Sequence, residues 1–221
     1  MLRCDLHVHT RFSRDGESSV EDVLLMAKKA GLDAIAITDH DTVDGVRYAQ
    51  DLETDIIVLP GIEISTREGH LIALGVSEVI PADLDFSETV ALARERGAVL
   101  VLPHPYHKWR HGAGLRVPSA IDEVDAVETF NSRYITGSAN RKAAREALKQ
   151  GKPSVGGSDA HHARYVGFGL TFVDADRDPA SILQAIREGK TKAGGRMTPL
   201  RTYTTQSLKG TVRKIRKRVK E

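Results

Sequence analysis

The first residues of the chain carry metal-binding side chains at the spacing of a β-strand. The segment reads Asp5-Leu6-His7-Val8-His9-Thr10. In an extended strand Asp5, His7 and His9 share one face, whereas Leu6 and Val8 share the other. Two imidazoles and a carboxylate on one face suit a zinc, iron, copper or nickel ion better than they suit a core. The segment therefore indicates the start of a metal site, and the alternative is a polar strand face with incidental histidines.

More histidines and carboxylates border predicted buried strands. The apolar run 34–37 leads directly into Thr38-Asp39-His40-Asp41. Glu63 lies between two isoleucines, where a carboxylate is costly to bury unless it is paired or binds a metal. If the strands are parallel neighbours, these groups converge at one end of the sheet. The other donors of this kind are Asp15, His70, His104, Asp159 and His161.

The number of donors exceeds what one four-coordinate ion needs. It favours two or three divalent ions with a bridging carboxylate, an arrangement that promotes phosphoryl hydrolysis by binding both the entering and the departing oxygen. The donor set contains no cysteine, which argues against a structural zinc site. The chain also lacks a glycine-rich phosphate loop, which argues against P-loop nucleotide hydrolysis.

Strand and helix patterns alternate along the chain and would bring these donors together. Hydrophobic content is 40% and aromatic content 5%, as expected for aliphatic buried strands. Pro60-Gly61 is predicted to end a strand at Leu59, and polar clusters repeatedly follow strands. About seven strands with crossover helices predict a small closed or nearly closed α/β barrel, and a doubly wound open sheet is the alternative. Either architecture binds ligands at the carboxyl edge of its strands.

Length and charge limit the class of protein further. The 221 residues predict one main domain, and a net charge of +2 implies no strongly acidic or basic partner for its body. The single cysteine, Cys4, excludes an intrachain disulfide and fits a reducing compartment. No apolar run reaches about 18 residues, and no signal peptide is recognisable. We therefore expect a cytoplasmic protein without a membrane span.

The C-terminal segment differs from the rest of the chain. Leu208, Val212, Ile215 and Val219 form one stripe of a predicted helix, and lysines and arginines surround them. The expected organisation is a catalytic domain over residues 1–195 and a basic extension over 196–221, docked on the barrel or projecting from it. The alternatives are a surface for nucleic acid or for an anionic membrane.

The chain carries the following motifs in order: Asp-Leu-His-Val-His-Thr at 5–10, Asp-Gly at 15–16, Ile-Thr-Asp-His-Asp at 37–41, Gly-Ile-Glu-Ile at 61–64, His-Leu-Ile at 70–72, Pro-His-Pro at 103–105 and Gly-Ser-Asp-Ala-His at 157–161. In combination they resemble the motifs of the PHP family, named after polymerase and histidinol phosphatase domains. The resemblance covers residues 5 to about 173 and implies a distorted seven-stranded (β/α)7 barrel related to the TIM barrel. It also implies a ligand set. One ion would bind His7, His9, Glu63 and Asp159; a second would share Glu63 and add His70 and His104; a third would bind Asp15, His40 and His161.

Other polar residues are expected to support this centre. Asp5, Asp39 and Asp41 are next to ligand histidines and are predicted to accept their second N–H; Asp39 or Asp41 is also a candidate proton donor to the leaving oxygen. A turn or helix cap is the alternative for Asp41. Arg133 follows a strand, and its guanidinium suits bidentate phosphate binding. Weaker candidates for phosphate binding are Lys108, Arg110, His162 and Arg164.

The leading functional hypothesis is a metal-dependent phosphoesterase. It would hydrolyse a phosphate ester of a small molecule or nucleotide with two or three zinc, manganese or iron ions. The alternatives are an exonuclease that uses the basic C-terminal segment and a non-catalytic PHP scaffold. A metal-dependent amidohydrolase also carries a His-x-His strand, but Glu63 and the Thr-Asp-His-Asp segment disfavour it. The sequence does not predict an oligomeric state.

Overall fold

The computed structural model describes residues 1–108, 110–134 and 136–199. Strands and helices alternate along most of this length, as the hydrophobic pattern predicts. The strands are β1 (Leu2–Val8), β2 (Ala34–Ile37), β3 (Ile57–Ser65), β4 (His70–Leu74), β5 (Val99–Leu102), β6 (Ala126–Asn131), β7 (Ser154–Gly157), β8 (Gly169–Val173) and β9 (Thr191–Gly195). The helices are α1 (Val20–Lys29), α2 (Asp44–Gln50), α3 (Phe86–Glu95), α4 (Ser138–Lys149) and α5 (Pro179–Arg187).

The strands form one sheet that curls into a nearly closed barrel. Their order is β7-β6-β5-β4-β3-β2-β1-β8-β9. Near the closing seam, Gly156 N donates to Thr171 Oγ1 at 2.8 Å, and Thr191 Oγ1 donates to Ser154 O at 2.8 Å. The predicted α/β barrel is confirmed in this distorted form. The described residues contain nine strands, however, where about seven were expected.

Strand direction also differs from the expectation of parallel strands throughout. The pairs β1–β2, β2–β3, β5–β6 and β6–β7 are parallel, whereas β3–β4, β4–β5, β1–β8 and β8–β9 are antiparallel. Residues 66–69 join β3 to β4 as a hairpin in which Ser65 pairs with His70. Because β4 runs backwards, its first residue lies where β3 ends. His70 therefore reaches the same end of the barrel as residues that follow parallel strands.

Strand β3 continues through Pro60-Gly61, so the predicted break after Leu59 is wrong. Residues 57–60 pair with β2, and residues 61–65 pair with β4. The strand thus changes its registered partner just after the proline. A proline has no N–H to give to a ladder, and Pro60 still contributes its carbonyl, which accepts a hydrogen bond from Gly75 N at 2.7 Å. The continuous strand carries Glu63 to the end of the barrel where His70 also lies.

Apolar residues fill two regions of the core. On β2, Ala34 and Ala36 belong to the cluster inside the barrel, which also contains Ile182 and Ile186 of α5. Ile35 and Ile37 point the other way and pack with residues of α1 and α2. Helix α5 lies near the amino end of β5, because Arg187 donates to the carbonyls of Gly97 and Ala98. The opposite end of the barrel is left for the polar side chains.

Close approach of β7 to β1 and β6 requires a glycine at position 157. A Cβ at Gly157 would lie 2.4 Å from His7 Cβ and 2.7 Å from Glu128 Oε1. We expect Gly157→Ala to lower the free energy of unfolding by about 1–3 kcal/mol through overpacking, measured by denaturant titration. The matched control is Gly194→Ala, whose Cβ would meet only Phe172 Cε2 at 3.4 Å. Equal stability of the two variants would contradict this close-packing explanation.

The chain after β9 remains on the barrel for a few residues. Arg196 N donates to Phe168 O, and Thr198 N donates to Ser132 O at 2.8 Å. The first residues of the predicted extension therefore pack against the domain. The amphipathic helix predicted around Leu208 to Val219 lies outside the described residues. Within the described part of the chain, no helix combines the length and apolar character needed to cross a bilayer.

Candidate metal centre

All nine predicted ligands lie at one end of the barrel. His7 belongs to β1 and His9 follows it, Glu63 belongs to β3, and His70 opens β4. The others lie on loops that follow β1, β2, β5 and β7. Their side-chain donor atoms form four overlapping groups, and within each group the atoms lie within 4.8 Å of one another. The groups are His9, Asp15, His40 and His161; His7, His9 and Glu63; His7, His104 and Asp159; and His40, Glu63 and His70.

Glu63 is the centre of this cluster. Its side chain is 1% exposed, so its charge must be balanced by protein groups or bound cations. Five imidazoles surround the two carboxylate oxygens. Oε1 lies 2.9 Å from His70 Nδ1 and 3.0 Å from His104 Nε2, and Oε2 lies 3.2 Å from His7 Nε2, 3.1 Å from His9 Nε2 and 3.4 Å from His40 Nδ1.

Asp15 lies at the outer edge of the cluster, and its side chain is 47% exposed. Its Oδ2 lies 2.9 Å from His161 Nε2 and 3.8 Å from His40 Nε2. The His161 ring in turn lies 4.2 Å from that of His9, measured between ring centroids. The resemblance to the PHP family implied that Asp15, His40 and His161 form one group, and the structure adds His9 to them.

Burial and neighbouring charges keep four of the donors in the protonation states that bind metals. Burial lowers the pKa values of His40 and His161 to about 3, so both imidazoles are neutral at pH 7. Burial opposes ionisation of Glu63 and Asp159, but surrounding histidines and, at Asp159, Arg110 and Arg133 hold both pKa values well below the ordinary range. Neutral imidazoles and ionised carboxylates are the forms in which these side chains bind metals.

His7 differs because it has three acidic neighbours. Burial disfavours its protonation, yet Glu63, Glu128 and Asp159 raise its pKa well above the ordinary value. A divalent cation beside these carboxylates would replace the proton as the balancing charge. Its binding would therefore release protons.

The donor set fits divalent metal ions. It consists of imidazole nitrogens and carboxylate oxygens, a combination suited to zinc, manganese and iron. His40 Nδ1 and His104 Nδ1 are buried and have no hydrogen-bond partner among the described residues. His7 Nε2 and His9 Nε2 lie only 3.1 Å apart. The His7 and His9 nitrogens thus lie at a distance that a shared cation would stabilise.

Two arginines flank Asp159. Arg110 Nη1 lies 2.6 Å from Oδ2, and Arg133 Nη1 lies 3.1 Å from Oδ1. Arg133 Nη1 also lies 2.5 Å from His161 Nδ1. Burial, and then the nearby Arg110, lower the pKa of Arg133 to about 10, so the guanidinium remains charged at neutral pH. The guanidinium groups of both arginines are therefore next to a candidate metal ligand.

A cavity of about 250 Å³ opens onto this cluster. Arg110, which the sequence gave only as a weaker candidate, lines it. Arg14 and His111 line it as well. Lys108 instead lines a separate cavity with Tyr134. Neither His162 nor Arg164 contributes to the lining of the 250 Å³ cavity, and His162 Nδ1 accepts a hydrogen bond from Arg164 N.

The three predicted supporting aspartates contact backbone and hydroxyl groups instead of histidine rings. Asp39 accepts hydrogen bonds from Thr10 N and Thr10 Oγ1, both at 2.6 Å. Asp41, at a φ of 57°, accepts from Ser65 N at 2.7 Å and Ser65 Oγ at 2.8 Å. Asp5 accepts from the backbone N–H groups of His7, Ser158 and Gly167. These contacts anchor the segments that carry the ligands.

Sequence reasoning missed Glu128 and Asn131 of β6, and it gave His111 no role. Glu128 is 2% exposed and contacts His7 Nδ1 at 3.0 Å. Asn131 is fully buried and contacts both Glu128 and Asp159. Glu128 lies between Val127 and Thr129 in a predicted strand, which is a weaker form of the signal that Glu63 gives between two isoleucines. For Asn131 and His111 the sequence contained no comparable signal.

Barrel and cluster together place a candidate metal centre at the carboxyl edge of a distorted α/β barrel. The family model for the PHP domain matches residues 5–157, and that for the PHP-associated region matches residues 137–191. The chain belongs to the PHP family.

Three similar proteins illustrate the relationship. An uncharacterized protein of Methanocaldococcus jannaschii is 35% identical over 161 residues, which cover 67% of this chain and 93% of that protein. The phosphoribosyl 1,2-cyclic phosphate 1,2-diphosphodiesterase of Eggerthella lenta is 40% identical over 132 residues, covering 56% of this chain and 47% of that enzyme. A two-domain protein of Bacteroides vulgatus, which contains a predicted PHP-like metal-dependent phosphoesterase, has a similar fold. Its TM-score is 0.70 at 23% identity, over 88% of this chain and 65% of that chain.

Proposed function

We propose that this chain hydrolyses a small phosphate ester at a centre of two or three divalent ions. The proposed ligands are the nine clustered residues, and the proposed metals are zinc, manganese or iron. The observation that carries the proposal is the set of five imidazoles around the buried Glu63 carboxylate. A single ion cannot bind so many donors, whereas two or three ions that share Glu63 as a bridging ligand can.

The chemistry divides between the ions and the surrounding side chains. Divalent ions held there would lower the pKa of water to near neutrality and neutralise charge on the phosphate. Neutral His40 and His161 leave their lone pairs available at pH 7. Arg110 and Arg133 bring two positive charges next to Asp159, where they can bind phosphate oxygens. Asp39 and Asp41 are given an anchoring role in this proposal.

The size of the cavity supports a small substrate. Its volume of about 250 Å³ lies below the range of about 300–1,000 Å³ that is typical of drug-sized ligands. A phosphate with one sugar ring is of suitable size, and any larger part of the substrate would extend into solvent. The Eggerthella relative is named for a cyclic phosphodiester of a sugar. Cyclic and linear diesters therefore belong in the assay beside monoesters.

The test combines metal analysis with a substrate panel. Protein expressed with Mn²⁺, Fe²⁺ or Zn²⁺ is expected to retain at least two ions per chain. It should hydrolyse at least one of p-nitrophenyl phosphate, bis(p-nitrophenyl) phosphate, ribose 1,2-cyclic phosphate and a 5′-phosphorylated oligonucleotide. Hydrolysis of the oligonucleotide alone would favour the exonuclease alternative over a small-molecule enzyme.

Two adjacent histidines provide the matched control. His161 belongs to the cluster, whereas His162 does not. His161→Ala should lower both metal content and turnover, and His162→Ala should change neither by more than about twofold. Activity that survives His9→Ala, Asp159→Ala and chelation would refute the proposed site. Tight metal binding without hydrolysis of any ester would instead support the scaffold alternative.

A further inference from the structure

Glu128 lies behind the metal cluster and contacts three separate groups. It occupies the middle of β6, and both carboxylate oxygens have short contacts. Oε1 lies 3.0 Å from His7 Nδ1. Oε2 accepts hydrogen bonds from His104 N at 2.7 Å and from Asn131 Nδ2 at 2.9 Å. The carboxylate therefore joins β1, β6 and the loop that follows β5.

The contact with His7 decides which ring nitrogen faces the cluster. A carboxylate only accepts hydrogen bonds, so the facing Nδ1 must carry a proton. His7 Nε2 then points at Glu63 Oε2, 3.2 Å away. Partners of this kind fix the tautomer and orientation of metal-binding histidines. Gly157 makes the contact possible, because a Cβ there would lie 2.7 Å from Glu128 Oε1.

The other oxygen acts on His104 and, indirectly, on Asp159. His104 has a φ of 31°, an unfavourable value for a residue with a side chain. The hydrogen bond from its N–H to Glu128 holds this backbone, and His104 Nε2 then lies 3.0 Å from Glu63 Oε1. Asn131 Nδ2 also donates to Asp159 Oδ2 at 3.2 Å. One buried network thus reaches three of the clustered side chains.

We propose that Glu128 is a positioning residue which, with Asn131, holds His7, His104 and Asp159 in the geometry that binds metal. The inference rests on the proposed metal centre. It adds that the affinity of this centre depends on a carboxylate that is not itself among the clustered donor groups. A role restricted to folding would affect stability but leave the metal affinity of folded protein unchanged.

Glu128→Gln is the sharpest variant, because neither orientation of the amide can reproduce the contacts. If the amide oxygen accepts from His7, the NH₂ group faces the N–H donors of His104 and Asn131. If the amide is flipped, its NH₂ group faces His7 Nδ1 and favours the tautomer with a proton on Nε2. Either result disturbs at least one ligand.

Asp125→Asn provides a matched control at the end of the β5–β6 strand pair that lies away from Glu128. Asp125 Oδ2 accepts a hydrogen bond from Leu100 N at 2.7 Å, so it also connects a carboxylate to the backbone of β5. It precedes β6 and lies away from the cluster. Thermal unfolding of both metal-free variants would measure the structural cost, and Zn²⁺ titration against a chromophoric chelator would measure affinity.

We expect Glu128→Gln to weaken Zn²⁺ binding by about 10–100-fold and Asp125→Asn to change it less than about threefold. Wild-type affinity in folded Glu128→Gln, or equal weakening in both variants, would overturn the inference. Absence of Zn²⁺ binding by wild-type protein would instead refute the metal centre itself.

A measurement on wild-type protein covers the case in which Glu128→Gln does not fold. In the zinc-loaded chain, ¹⁵N NMR of the His7 ring should show a proton on Nδ1 and none on Nε2. A proton on Nε2 would overturn the inference without any variant.

Discussion

Glu63→Gln is expected to reduce turnover of the best substrate by well over a hundredfold and to lower metal content below one ion per chain. The variant keeps the shape of the side chain but removes the negative charge that faces five imidazoles. Loss of a group that only orients a ligand costs about 10–100-fold, and loss of the bridging ligand should cost more. Metal analysis and kcat/KM measured on the same preparation would check this prediction.

Glu68→Gln is the control for Glu63→Gln. Glu68 lies five positions further along the chain, and its Oε2 accepts a hydrogen bond from Phe86 N at 2.8 Å. Its side chain belongs to none of the donor groups in the cluster. We expect normal metal content and turnover in this control. A Glu63→Gln protein that retains two ions and full activity would show that the carboxylate does not bridge metals.

Arg133→Ala is expected to lower kcat/KM by about a hundredfold while most of the bound metal is retained. Arg133 is 8% exposed and holds its guanidinium against Asp159 and His161. A charge fixed beside the site can stabilise the phosphate as its own charge develops in the reaction. Arg133→Lys keeps the charge but loses the two-pronged geometry, so it should recover only part of the lost rate.

Arg145→Ala separates this effect from a general loss of positive charge. Arg145 lies on α4, with a side chain that is 66% exposed, and its Nε lies 3.6 Å from Glu146. We expect no change in kcat/KM for this variant at constant ionic strength. If Arg133→Ala retained wild-type kcat/KM, or lost its metals together with its activity, a phosphate-binding role for Arg133 would be excluded.

The predicted ligands illustrate how much local sequence can reveal about a metal site. The types of His7, His9 and Glu63 and their positions among apolar neighbours are local properties, because alternation along a strand decides which side chains share a face. The apolar neighbours of Glu63 also predict that its carboxylate is buried, and a buried carboxylate needs a partner of opposite charge or a metal ion. The motifs therefore identified all nine clustered donors before any contact was known.

Glu128 lies inside a predicted strand, as Glu63 does, yet its partners were not predictable. Its contacts with His7 and His104 N span 121 and 24 positions of the chain. For Asp39 and Asp41, a neighbour in sequence was wrongly predicted as the partner, because both residues are adjacent to His40. Their oxygens contact Thr10 and Ser65 instead, because competing hydrogen-bond donors arrive from other strands.

Residue types and strand periodicity by themselves indicated an α/β barrel, with a doubly wound open sheet as the alternative, and placed the donors next to strands. Tertiary structure alone decided the nine-stranded order, the reversed direction of β4 and the flanking of Asp159 by Arg110 and Arg133. The physical reason is that side-chain burial is encoded by neighbours in sequence. Strand direction and ion pairing depend on which distant segments meet when the barrel closes.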